Sequence, residues 1–113
     1  MGLWPTRTLE SGVVVICPQG RLNMSVAPQV RDELHGLVDS GKSRIVVDLS
    51  DVETIDSSGL GALISGLKAA RQAGGDLRIA EAGDQVVAVL ELTNLDRILR
   101  SHDSAERAFD EPG

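Results

Sequence analysis

"RIVVDLSDVETIDSSGLGALISGLKAARQAGGDLRIAEA", residues Arg44 to Ala82, holds the pattern that decides the fold. Its opening "RIVVDL" is a near-continuous apolar run, which reads as a strand buried on both faces. Further on, Leu60, Leu63, Ile64 and Leu67 recur at i, i+3, i+4 and i+7, the stripe of an amphipathic helix. Ala73-Gly74-Gly75 stops that helix, and "DLRIAEA" forms the next strand. Between the first strand and the helix lies "DVETIDSSG", with two serines and a glycine side by side. A helix start needs only one such capping residue.

The same alternation extends outward. Val13–Ile16 is a β-branched run closed by Pro18 and Gly20, and "TRTLE" before it reads as a short edge strand. "RLNMSVAP" opens a helix that carries Val26, Val30, Leu34, Leu37 and Val38 at helical spacing and ends at Gly41. Beyond Ala82, "DQVVAVLELTNL" predicts a shorter helix, "DRILR" a brief strand and "SAERAFD" a terminal helix. Strands alternating with helices imply helices packed on a largely parallel sheet. The expectation is one α/β domain over residues 1–113, with residues 1–5 and 110–113 frayed. Its mixed sheet has four to five strands, with helices mainly on one side. Val14, Val15, Ile16, Val46, Val47, Leu49, Leu63, Leu67, Leu77 and Ile79 are its expected core.

Composition narrows the function. The 113 residues carry a formal net charge of −6 and include one Trp, one Phe and no Tyr. Nucleic acid as partner is disfavoured, because phosphate binding rests on basic side chains and single strands need aromatic platforms. An anionic membrane is disfavoured for the same reason. No uncharged run is long enough to span a bilayer and none reads as a secretory signal, so a cytoplasmic protein is expected. The single cysteine, Cys17, has no internal disulfide partner and reads as a buried, inert thiol.

Catalytic patterns fail residue by residue. His35 and His102 stand apart with no ligand spacing around them, so no metal or cofactor is expected. His35 reads as a structural helix residue and His102 as a surface loop residue. Gly59-Leu60-Gly61 hints at a dinucleotide fingerprint, but its third glycine would fall at Ile64. Gly36 to Ser43, "GLVDSGKS", matches the letters of a phosphate loop, but it leads from a helix end into a strand where such a loop leads from a strand into a helix, and the chain has no G-x-S-x-G elbow. Asp48 has the placement of a receiver's acceptor aspartate, yet no acidic pair follows the first strong strand, so Asp48 reads as structural. The chain is not expected to be an enzyme.

The junction is what is left. In open sheets of this type, ligands meet the carboxyl ends of the strands, where Asp56, Ser57, Ser58 and Gly59 fall. One serine suffices as N-cap, and the second is surplus. A phosphate on it would suit the helix N-terminus. The helix face that carries Ser58, Gly61, Ala62, Ser65 and Ala69 is small and uncharged. Either another backbone approaches it closely or it packs within its own domain.

At this point the residues resemble a known family. "VVDLSDVETIDSSGLGALISGLKAARQAGGDLRIAEA" looks like the anti-sigma factor antagonists of the STAS domain family, whose hallmark Asp-Ser-Ser/Thr-Gly is matched by Asp56, Ser57, Ser58 and Gly59. "GRLNMSVAPQVRDEL" matches the family's early loop and helix, and "LELTNLDRIL" its late helix and strand. The resemblance implies a bacterial partner-switching phosphoprotein that acts in transcription regulation through protein–protein interaction. Unphosphorylated, it would bind an anti-sigma factor with serine kinase activity and so release a sigma factor. Phosphorylation of Ser57 would switch it off, and a PP2C-type phosphatase would reset it. Partner binding would fall on Asn23, Ser25, Asp56, Ser57, Ser58, Gly59, Gly61, Ala62 and Ser65, with the free chain a monomer. Asn23 departs from the aspartate common at that place, so this loop lacks a charge. The alternative within the family is an unphosphorylated scaffold or binding module in another signalling or transport complex.

Overall fold

The computed structural model describes residues 4–110. Its main sheet has five strands in the order β1-β2-β4-β6-β7. These are β1 (Thr6–Thr8), β2 (Val14–Ile16), β4 (Arg44–Asp48), β6 (Asp76–Ala80) and β7 (Ser101–His102). Only β1 runs antiparallel to its neighbour; β2, β4, β6 and β7 are parallel. Ile16 stands opposite Val47 and Val47 opposite Ile79, so buried β-branched residues line up across three strands. All ten residues expected in the core are buried.

Three helices connect the strands: α1 (Ala27–Asp39), α2 (Ser57–Gln72) and α3 (Asp84–Leu92). Val30 and Leu34 of α1 and Leu60, Leu63 and Leu67 of α2 pack with Ile45, Val47, Leu77 and Ile79 in one aliphatic core. The helices α1 and α2 end alike. Gly41 and Gly74 take left-handed φ of 89° and 87°, and the following N–H reaches back to Leu37 O or Ala70 O. A side chain at either glycine would be strained in that conformation.

The rest departs from the sequence expectation in four places. A second, two-stranded parallel sheet joins β3 (Gly20–Leu22) to β5 (Val52–Ile55), in stretches read as a helix opening and as the junction between a strand and a helix. "DRILR" is not a strand: Leu95–Arg97 is a 3-10 turn, Leu99 plugs the core, and the last strand comes at Ser101–His102. "SAERAFD" forms turns rather than a helix, with Ala105 and Ala108 against the sheet face opposite the helices. His102, expected on the surface, is 6% exposed because it lies in β7. Of the ends expected to fray, residues 1–3 and 111–113 lie outside the described residues, whereas Trp4 packs against the core, Pro5 O accepts Cys17 N–H and Asp110 N–H donates to Arg107 O.

Candidate functional site

β5 delivers the chain to the start of α2, and β3 delivers it to the start of α1. The two strands pair in parallel with Leu22 opposite Ile55, and Asp56 N–H donates to Leu22 O at 3.2 Å. Asn23 and Asp56 therefore leave the small sheet as neighbours. The Asn23 side-chain oxygen accepts from Ser25 N–H at 3.0 Å, and the Asn23 backbone carbonyl accepts from Val26 and Ala27 N–H. This fixes the β3–α1 loop beside the start of α2.

The α2 cap is Asp56, not a serine. Its backbone is extended, and Oδ1 accepts Ser58 N–H at 2.9 Å and Gly59 N–H at 3.0 Å. A carboxylate at the N-cap satisfies two free donors and favours the positive helix end. Both serines then lie inside the helix, and neither hydroxyl is needed for capping. Ser57 is exposed at the first helical position and its hydroxyl makes no hydrogen bond among the described residues; Ser58 is half-buried.

The glycines divide by role. A Cβ on Gly59 would stand 2.2 Å from Leu22 O and 2.9 Å from Ile55 Cγ1. Gly59 is thus buried to let α2 meet β3, rather than open for a visitor. Gly61 is exposed with nothing near its missing Cβ. Ala62 corrects the expected partner-binding set: at 1% exposure it belongs to the core, because its side of α2 turns inward. Ser65 is half-buried and pairs with His35 Nε2 at 2.8 Å, so that part of the small face packs against α1. About twelve ångströms of helix rise separate Ser57 from Ser65.

Two neighbours escaped the sequence reading. Met24, between Asn23 and Ser25, is 74% exposed, unusual for a large apolar side chain. Gln85, near the start of α3, holds Ile55 by its backbone: Oε1 accepts Ile55 N–H at 3.0 Å, and Nε2 donates to Ile55 O at 3.3 Å. A methionine inside a polar loop is a visible signal; nothing around Gln85 in sequence announces its reach.

Other reactive groups are occupied. Asp48 is 7% exposed, accepts Ser50 N–H at 3.0 Å through Oδ1, and receives the Cys17 thiol at Oδ2 at 3.8 Å. Burial, and then the Asp48 charge beside it, push the Cys17 thiol pKa up, which keeps the sulfur protonated and unreactive. Among the described residues no three His, Cys, Asp or Glu side chains converge as metal ligands, and no helix is long and apolar enough to cross a membrane.

A mixed α/β sheet, parallel but for one edge strand, beside a small parallel pair that leads into a polar helix start, is the architecture of a STAS domain. The family model described as "Mlab, STAS domain" matches residues 6–100, and the chain belongs to that family, alongside the anti-sigma factor antagonists. A Thermotoga maritima protein provisionally named an anti-sigma factor antagonist is 37% identical over 113 residues, 96% of each chain. A crystal structure from Thermotoga maritima with the same provisional name superposes with a TM-score of 0.87 at 32% identity, covering 96% of this chain and 92% of that one. The Bacillus cell fate determinant SpoIIAA in its phosphorylated form superposes with a TM-score of 0.71 over 95% of this chain and 96% of that one. At 18% identity this last likeness shows the fold alone.

Proposed function

We propose that the chain is a partner-switching antagonist whose state is set by phosphate on Ser57. The observation that carries this reading is the Asp56 cap, which leaves the Ser57 hydroxyl exposed and unengaged at the first position of α2. Unphosphorylated, the chain binds an anti-sigma factor and frees a sigma factor. Its contact surface combines Asn23, Ser25, Asp56, Ser57, Ser58 and Gly61, with Ser65 at its margin and Gly59 acting beneath it.

The same anti-sigma factor is the kinase. Ser57 Oγ attacks the γ-phosphorus of ATP, a new O–P bond forms, the β–γ bridging bond breaks, and ADP leaves. The hydroxyl proton passes to a base on the kinase. A PP2C-type phosphatase later delivers water, which releases inorganic phosphate and restores the hydroxyl. The chain itself is substrate and binder, a cytoplasmic monomer when free, with no catalysis of its own.

Phosphate adds about −1.5 to −2 charges beside Asp56 on a chain already at −6. The helix N-terminus accommodates that charge, so the fold survives. A close-packed partner does not, and a clash of about 1–3 kcal/mol in partly screened surroundings lowers affinity roughly tenfold to a hundredfold. The test is mass spectrometry after treatment with cognate kinase and ATP, paired with a binding titration. Ser57→Ala should bind without being switched off, Ser57→Asp should bind weakly while folded, and Ser58→Ala should still accept phosphate. Phosphate on Ser58 alone, or full affinity of the Ser57 phosphoprotein, overturns the reading. A chain that binds but never takes phosphate is the unphosphorylated binding module instead.

A further inference from the structure

The end of β5 is held from both sides. In a strand, one residue turns its N–H and C=O to one side and the next residue turns its own to the other. Asp56 N–H points toward β3 and donates to Leu22 O. The Ile55 backbone groups therefore face away from β3, where the small sheet has no further strand among the described residues. Gln85 takes the place of that strand. Its carboxamide sets an acceptor and a donor side by side, and both engage the Ile55 backbone, at 3.0 and 3.3 Å.

We infer that Gln85 is a positioning residue for the Asp56–Ser57 junction, an inference that rests on the reading of Ser57 as the switch. Ile55 is the last residue before the cap, and its side chain is buried. With both its backbone groups clipped to α3, the strand end cannot rotate. Asp56 then leaves it in the extended conformation, φ −116° and ψ −174°, that brings Oδ1 to Ser58 and Gly59 N–H. Without the clip, two backbone groups lose their protein partners and the cap is anchored only through Leu22. Ser57 lies between the cap and the groups that it caps, so its hydroxyl loosens with them. Phosphoryl transfer is sensitive to such looseness, because a misplacement of about 1 Å can cost on the order of a hundredfold in rate.

Only glutamine fits the role. Asparagine is one methylene too short, and glutamate keeps the acceptor for Ile55 N–H but sets a negative oxygen against Ile55 O. The consequence is a division of labour: the β3–α1 loop supplies docking, whereas α3 supplies aim.

The test has two arms on the whole chain. First, amide hydrogen exchange is followed at Ile55, Ser58, Gly59 and, as a reference in β4, Val47. Gln85→Ala should speed exchange at the first three by roughly tenfold, the loss expected for two modest hydrogen bonds, and leave Val47 unchanged. Gln85→Glu should fall between Gln85→Ala and the unaltered chain. Second, the chain is titrated as substrate of the cognate kinase with ATP. Gln85→Ala should lower kcat roughly tenfold, in line with the same loss, with KM near that of the unaltered chain.

Unchanged exchange at Ser58 and Gly59, equal acceleration at Val47, or an unaltered kcat each overturns the positioning role. Absence of phosphate on Ser57 in the unaltered chain would instead sink the switch. The exchange pattern would still decide whether Gln85 aims the cap.

Discussion

The two faces of the five-stranded sheet are closed by different means. On one face, helices press leucine, isoleucine and valine side chains into a continuous aliphatic core. On the other, Val13, Val15, Val46 and Ala80 are covered by a short run of turns that offers little more than Ala105, Ala108 and Phe109. Directional contacts hold that cover in place. The Arg44 and Arg78 guanidinium carbons lie 5.0 and 4.6 Å from the Phe109 ring centroid, and Arg78 donates to Ala108 O at 2.9 Å. Arg7 pairs with Glu106. The first face is held by volume, the second by geometry and charge. Only the first positions the Ser57 junction, because α2 and the β3–β5 pair belong to it.

The contrast can be broken most forcefully at Leu63. Leu63→Ala empties fully buried space in α2 and should cost about 2–5 kcal/mol in denaturant unfolding. A loss below about 1 kcal/mol, the low end of core truncations, would mean that the helical face is not held by volume. Next comes Gly59→Ala, which forces a methyl group against Leu22 O, a backbone atom that cannot step aside. About 1–3 kcal/mol should go, as for other overpacked sites, and partner affinity should fall with it, because α2 shifts away from the Asn23 loop. Thermal melts beside a binding titration check both effects.

On the opposite face, Phe109→Ala should cost about 1–2 kcal/mol through lost apolar burial and two cation–π contacts. It should leave Ser57 phosphorylation unchanged. A fall in phosphorylation rate would show that the two faces are coupled. The smallest effect on stability belongs to Asn23→Asp, since an aspartate oxygen accepts Ser25 N–H equally well. The melting temperature should hold while partner affinity changes. A shifted melt with unchanged binding would assign the loop to the fold rather than to the interface.

The same contrast explains what could be read in the sequence. Leu60, Leu63, Ile64 and Leu67 announce α2 because a helix that buries one face must repeat at that spacing. "RIVVDL" announces β4 because a central parallel strand is buried on both sides. β5 hides because Val52 and Ile55 are buried with Glu53 and Thr54 exposed between them, a pattern that breaks strand alternation. "SAERAFD" has apolar residues at helical spacing but turns instead, with Ser104 Oγ accepting Arg107 N–H and the alanines pressed to the sheet.

At the site, the residue types were legible and their division of labour was not. Asp56, Ser57 and Ser58 are all competent caps. Which one serves depends on where β5 ends, and that is set by Leu22 and Gln85, far away in sequence. Ala62 looked like part of an open small face. An alanine does not declare which way it points, and here it points inward.

The edges of the main sheet carry one further consequence. β1 has three residues, all exposed and with Arg7 at the centre, and β7 has only two. A stray strand from another chain would find only a few backbone groups to pair with, beside a cation on one side, before the template ran out. Protection from edge-to-edge aggregation is thus built into the brevity of these strands. For a chain whose proposed work requires repeated release from a partner, such short edges leave one free copy little backbone to pair with on another.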